Sequence, residues 1–395
     1  MHAKINPDIS SGINPDISST IKKEWQFIKK DFWLKALLFW LPIVLAFTLW
    51  AIFSVGIARN LAIGVVDLDN SVMSRGLTRY YDASPSLSVT KHYSTAEQGS
   101  VALRNGSIYG LVIIPFELEK NTVLGKSPQV TVFYNSQYIL IGKLINAAVV
   151  QAHGTYIATI DVFKSLAKNQ GQVEEAIGDA LPISSQITPL FNSNSHYGQF
   201  LVAAAVPAVW QILIIATVVL SFGIYQRNNN NNNKNNWLMA INKQTIVAKL
   251  IPYIIIFWLQ GIIFISVFYG VMNWPMHGNW FLLVFAQLLL VIACVSVATL
   301  FFFITLDVTR AMSFVAVFAA PAFAFMGVTF PTSDMPLLAQ LWRDLLPINY
   351  YIEIQIQQVN YGAEFIDSSG NYLMLMAFSS CFYVAILLMN KKKST

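Results

Sequence analysis

The chain has 395 residues, 55% of them hydrophobic and only 11% charged, with a formal net charge of +5. Ordinary soluble domains carry about 25% charged residues, so this composition excludes a soluble enzyme or regulator and indicates a membrane protein. The positive sum is no sign of nucleic-acid binding, because its distribution along the chain matters more. The two cysteines, Cys294 and Cys381, sit inside apolar runs and read as small core residues rather than a disulfide or metal pair.

INPDISS occurs twice, from Ile5 and from Ile13, and its Pro, Asp and Ser content suits an exposed tail. From Ile21 onward Ile21, Trp25, Ile28 and Phe32 share one helical face, with Lys22, Lys23, Gln26, Lys29 and Lys30 mostly opposite. That pattern predicts an interfacial helix with a basic face. Six apolar runs are long enough to cross a bilayer, approximately Ala36 to Ile57, Phe200 to Ile224, Leu250 to Met272, Trp280 to Leu306, Ala311 to Phe330 and Tyr372 to Met389. The first is too long for a signal-peptide core and shows no clear small-residue cleavage site, so it reads as an uncleaved anchor. Lys22, Lys23, Lys29, Lys30, Lys35, Arg227, Lys234, Lys243, Lys249, Arg310 and Lys391 to Lys393 fall on one side of these runs, and the short loops of the other side offer only Arg343. Both termini are therefore expected in the cytoplasm.

The long segment between the first two runs, about Ala58 to Gln199, reads as an extracytoplasmic α/β domain. LAIGVVD from Leu61 is a buried strand, and Asp69, Asn70 and Ser71 can cap a helix running towards Tyr81. A second strand lies near Leu87 to His92. Ser94 and Glu97 have capping-box spacing for a helix ending at Asn105 and Gly106. IYGLVII from Ile108 is a third strand, Pro115 opens a helix that Gly125 closes, and QVTVFY from Gln129 is the fourth strand. A long helix follows from about Tyr138 to Gln170.

Catalytic chemistry is hard to find. Gly125-Lys126-Ser127 resembles the end of a phosphate loop, but Lys120 stands where the first glycine belongs and the order runs from helix to strand. Asp67 and Asp69 are explained by turn and cap formation. His2, His92, His153, His196 and His277 show no ligand spacing, so no metal or cofactor is expected on this chain. Asn105-Gly106-Ser107 matches a glycosylation sequon, which a helix-ending turn explains as well. Apart from edge residues such as Lys249, the six runs hold no Asp, Glu, Lys, Arg or His, and their polar groups are limited to residues such as Gln211, Gln260 and Gln287. Ion-coupled carriers usually keep ionisable groups at depth, so the pattern argues for an external energy source and an apolar or amphipathic cargo.

Between the second and third runs, Asn228 to Asn233 with Asn235 and Asn236 form a polar linker. Trp237, Leu238, Ile241 and Ala248 after it can share one face of a short helix. Asp307 and Arg310 lie in the tight turn between the fourth and fifth runs, either as a local ion pair or as a surface for a partner. Pro331, Pro336 and Pro347 punctuate the stretch from Gly327 to Tyr351 and prevent one continuous helix. Leu337, Leu338, Leu341, Trp342, Leu345 and Leu346 recur at helical spacing opposite Gln340, Arg343 and Asp344. They predict a one-sided helix of about three turns that lies in the interface or dips back into the protein.

A glycine followed by Phe-Pro, Met-Pro and Leu-Pro before the last span of a polytopic chain resembles the permease subunit of type-2 ABC exporters. The likeness covers almost the whole chain and is nearest to half-size members with a large outer domain after the first span. It implies a re-entrant gate around Pro331, Pro336, Trp342, Arg343, Asp344 and Pro347, and contacts with an ATPase through Trp25, Trp237, Leu238, Ile241, Asp307 and Arg310. The usual acidic stretch with Gly-Thr before the coupling helix is replaced here by asparagines. The resemblance further implies a second permease copy, identical or not, in a bacterial inner membrane, with ATP and Mg handled by the partner. A periplasmic adaptor and an outer-membrane channel are further implied partners, and the cargo would be drugs or lipid-like compounds. The competing expectation is a membrane-anchored binding or scaffold protein with an outer recognition domain.

Overall fold

The computed structural model describes residues 17–54, 56–168, 190–192, 196–229 and 236–394. The first copy of the INPDISS repeat and most of the asparagine run lie outside them. The chain divides into two compact units, Ile57–Thr188 and Met1–Gly56 with Pro189–Thr395.

The smaller unit is built on a four-stranded sheet of order β2-β1-β3-β4, with β1 Leu61–Asp67, β2 Leu87–His92, β3 Gly110–Ile114 and β4 Thr131–Tyr134. β1 runs parallel to β2 and β3, and β4 is antiparallel to β3. The central strand is covered on both faces, which explains why LAIGVVD reads as a continuous apolar run rather than an alternation. Ile63 and Val65 join Leu77, Tyr81, Ile145 and Ala148 in one core, while Val66 joins Ala102, Ile108 and Leu111 in another. The carboxylate of Asp67 accepts hydrogen bonds from the Asp69 and Asn70 amides and from the Ser74 hydroxyl, at 3.1, 3.0 and 2.7 Å. Ser71 caps the helix Val72–Asp82, and Asp69 accepts from the Glu119 amide. Both aspartates are thus used in shaping turns. The next helix, Ala96–Arg104, is capped by Thr95 and not by Ser94, because the Thr95 hydroxyl is the one that meets the Gln98 amide, at 3.3 Å. Residues 125–127 follow the helix Leu118–Val123 and precede β4.

The helix Ile139–Lys168 closes one face of the sheet, and His153 on it meets the buried Tyr81 phenol, Nδ1 to Oη at 2.9 Å. Burial holds the His153 imidazole below its usual pKa and raises the Tyr81 phenol. The folded state then binds fewer protons at His153 than the unfolded chain does. Stability is complete above the unfolded value near about 6.5 and declines as the pH falls below it. Hydrogen-exchange protection in β1 of the full chain, corrected for intrinsic rates, should therefore fall between about pH 7 and pH 5. The decline should flatten in His153→Gln, and an unchanged decline would assign it to another group.

The larger unit is helical. Its leading helix, Ile17–Lys30, begins inside the second repeat copy, four residues earlier than the spacing predicts, and buries Thr20, Glu24 and Ile28. The buried stripe is rotated from the expected one: Trp25 is 40% and Phe32 70% exposed. Among the described residues six helices are long and apolar enough to cross a membrane, namely Phe32–Ile52, Gly198–Asn229, Lys243–Val271, Trp280–Thr305, Val308–Phe325 and Phe365–Ser394. The second and fourth are the most enclosed, with Phe222 stacked on Phe302 at 5.0 Å.

Span amides that interrupt the apolar runs bridge helices. The Gln260 amide donates to the Leu38 carbonyl and accepts from the Trp210 indole at 3.3 Å. Gln287 donates to the Gly261 carbonyl at 3.0 Å and to the Tyr351 hydroxyl at 3.2 Å. Such interhelical bonds contribute about 0.6 to 2 kcal/mol each in a hydrocarbon setting, and together they fix the register of the bundle.

Candidate functional site

The most concentrated chemistry lies where the leading helix meets the third span. Glu24 Oε1 accepts from Lys249 Nζ at 2.5 Å and from the Tyr253 hydroxyl at 2.7 Å. The Lys249 and Glu24 side chains are 0% and 3% exposed. Rings of Phe222, Tyr225 and Tyr253 surround the ammonium at 5.6, 5.4 and 6.0 Å. Lys249, the edge residue excepted from the otherwise uncharged spans, lies about one turn and a half inside the helix that starts at Lys243, and its charge is buried against Glu24 of the leading helix rather than exposed. The cause is helical spacing. Thr20, Glu24 and Ile28 recur every four residues, so a carboxylate on the buried stripe needs a cation from its neighbour. The signal was available as two charges next to apolar runs, each costly to bury alone.

Of the residues expected to meet an ATPase, three belong to the core. The short helix Asn236–Ala240 turns Trp237 against Phe302 with ring centroids 6.0 Å apart. Trp237, Leu238 and Ile241 are 2%, 5% and 0% exposed, whereas Met239 between them is 62% exposed. The Lys393 ammonium closes this turn by donating to the Ile241 carbonyl. Asp307 is an N-cap: its carboxylate accepts from the Arg310 amide at 2.8 Å, and both residues are exposed. No ion pair between their side chains is formed.

At the opposite end of the unit the Pro-punctuated stretch forms two helices, Leu337–Asp344 and Pro347–Ile356. The first has two turns rather than three, because the chain leaves the helix at Leu345 and Pro347 opens the next. Its apolar side is open, with Leu337, Leu338 and Leu341 at 71, 80 and 54% exposure. The second is buried, and its start is held by Gln211 of the second span, whose Oε1 accepts from the Ile348 amide at 3.1 Å. Arg343 joins the two: its guanidinium pairs with Glu353 and lies 3.5 Å from Asp344, while its carbonyl accepts from Asn349. Pro331 and Pro336 are exposed, Pro347 is buried, and the Trp342 indole nitrogen is buried without a hydrogen-bond partner among the described residues.

Beside the second helix a cavity of about 230 Å³ opens between the starts and ends of three elements. Phe200, Tyr269, Trp274 and Tyr361 give it aromatic walls, Gln199, Gln355 and Asn360 give it amides, and among the described residues no charged side chain lines it. Gln355 is anchored on the Ala203 carbonyl at 2.8 Å and the Tyr269 hydroxyl at 3.3 Å. Such walls suit a neutral, partly aromatic or amphipathic guest.

Six apolar helices, buried amide bridges and the buried helix Pro347–Ile356 define a multi-pass helical membrane protein. The chain belongs to the ABC-2 family of transporter proteins, whose sequence profile matches residues 32–388. Members of this family are the membrane component of ABC transporters, which implies an ATPase subunit as partner. No curated protein and no solved structure matches the chain.

Proposed function

We propose that the chain is the permease of a half-size ABC exporter of the bacterial inner membrane, moving amphipathic or hydrophobic compounds outward on ATP hydrolysis by a separate subunit. The uncharged aromatic and amide cavity beside the re-entrant helix carries the cargo assignment. Drug-sized sites measure roughly 300–1,000 Å³, so a second permease copy would complete the chamber. The re-entrant pair, with Arg343 clasped by Glu353 and with Trp342, Asp344 and the three prolines around it, acts as the outward gate. At the other end the leading helix and the turn Asn236–Ala240 receive the motor's movement, with Met239 and Trp25 as the exposed contacts and Asp307 and Arg310 flanking them. The α/β unit lies outside the cytoplasm and meets an adaptor leading to an outer-membrane channel.

Everted membrane vesicles test this reading. An amphiphilic dye should accumulate only when the partner ATPase and ATP are both present, and dissipating the proton gradient should leave uptake unchanged. Uptake that follows the proton gradient without ATP would overturn it.

A further inference from the structure

A second apolar cavity, of about 250 Å³, lies between the third, fourth and sixth spans. Val247, Leu250, Ile251 and Ile254 form one wall, Ile292 and Val295 the second, and Phe382 and Tyr383 the third; among the described residues its polar groups are the hydroxyls of Ser296, Ser379 and Tyr383. It is separate from the aromatic cavity and from the Glu24 cluster, with which it shares no residue. Its origin is visible in the sixth span. The helix Phe365–Ala377 gives way to Ser380–Ser394, and at the junction the Cys381 and Phe382 amides bond three residues back, to Phe378 and Ser379. The lining residues of the third span repeat along one stripe from 247 to 254, a run of about 10 Å.

The same stripe starts with a cation. Lys243 is one turn before Val247, and its ammonium stands 5.5 Å from the centre of the Tyr383 ring that walls the slot. Lys243 is exposed and has no carboxylate partner among the described residues. Lys392 and Lys393 arrive at the same end of the sixth span, where they donate to the Ile304 and Ile241 carbonyls. An apolar slot open on the bundle's flank, with the exposed Lys243 ammonium at its end, is complementary to one chemical species: an acyl chain joined to an anionic headgroup.

We infer that this slot binds an anionic phospholipid, its chain along Val247 to Ile254 and its phosphate at Lys243. A zwitterionic lipid fills the slot but its own choline offsets its phosphate's attraction to the cation; a free anion meets the cation but leaves the slot empty. The inference rests on the spans crossing a bilayer and requires no ATPase, so its failure leaves the exporter reading standing, and the converse also holds.

The test is native mass spectrometry of the full chain from mixed micelles holding phosphatidylglycerol and phosphatidylcholine of identical chains. One lysine near an anionic headgroup corresponds to about a fivefold preference, and that preference for phosphatidylglycerol is the expected result. Lys243→Gln should abolish the preference and Lys243→Arg should keep it. Val247→Trp, at a 40% exposed position on the slot wall, should reduce binding of both lipids while thermal unfolding stays unchanged. Inorganic phosphate at matched ionic strength should not displace the lipid. Equal binding of the two lipids by the unaltered chain would overturn the inference. Binding that survives both Lys243→Gln and Val247→Trp, or is displaced by phosphate, would overturn it equally.

Discussion

Glu24→Gln alone, and Lys249→Met alone, should each lower the stability of the detergent-solubilised protein by about 3–5 kcal/mol, because each leaves one charge or strong dipole buried without its partner. The double variant Glu24→Leu with Lys249→Met should lose less than either single variant, since desolvating two ions offsets most of their attraction and only the Tyr253 hydroxyl is left without its acceptor. Thermal unfolding distinguishes the cases, and a double-variant loss equal to the sum of the two single losses would mean that the pair is not energetically coupled. The functional consequence follows from placement. Glu24 is on the leading helix, while Lys249 and Tyr253 are on the third span, so the pair is a direct mechanical tie between the two. In the double variant ATP turnover by the complex should persist while amphiphile movement falls, a split that a purely structural role does not produce.

Met239→Asp and Trp237→Ala should fail in opposite ways. Trp237 is 2% exposed and packs on Phe302, and its truncation should cost about 3–5 kcal/mol of stability. Met239 is 62% exposed, so an aspartate there should change stability by no more than about 0.5 kcal/mol. If the turn docks on an ATPase, burying that unpaired carboxylate should weaken the complex by about 2 kcal/mol or more, roughly thirtyfold in affinity. The measurement is retention of the ATPase at graded concentrations beside a thermal melt. A Met239→Asp protein that binds the ATPase normally would move the docking surface elsewhere, with the exposed Trp25 as the next position to change.

Much of this architecture is legible in the residues because local patterns decide it. Strands 61–67 and 87–92 fall on the predicted residues: the first is a covered parallel strand with an unbroken apolar run, and the second is an edge strand whose Leu87 and Val89 alternate with polar residues. The prolines broke the stretch from Gly327 to Tyr351 where expected, because a missing amide is a local fact. Other features depend on what lies across the bundle. The leading helix turned Glu24 inward and Trp25 outward only because Lys249 and Tyr253 stand opposite, over 200 residues further along the chain. Trp237, Leu238 and Ile241 are buried together, but Ala248, expected on the same short helix, belongs to the next one, Lys243–Ile265, and Trp237 packs on Phe302 rather than being offered to a partner. Amphipathic spacing identifies a buried stripe; it does not say whether the covering surface belongs to the same chain.

The central claim is that this membrane unit transmits the work of a separate ATPase. The most direct test is purification of the tagged chain from its native membrane in lipid nanodiscs, with identification of the bound protein and measurement of ATP hydrolysis. The account predicts a stoichiometric subunit with a phosphate-binding loop, whose hydrolysis depends on this chain and responds to amphiphilic cargo. A chain that retains no nucleotide-binding partner after mild crosslinking, and shows no hydrolysis in lipid, would contradict it and support an anchored binding protein instead.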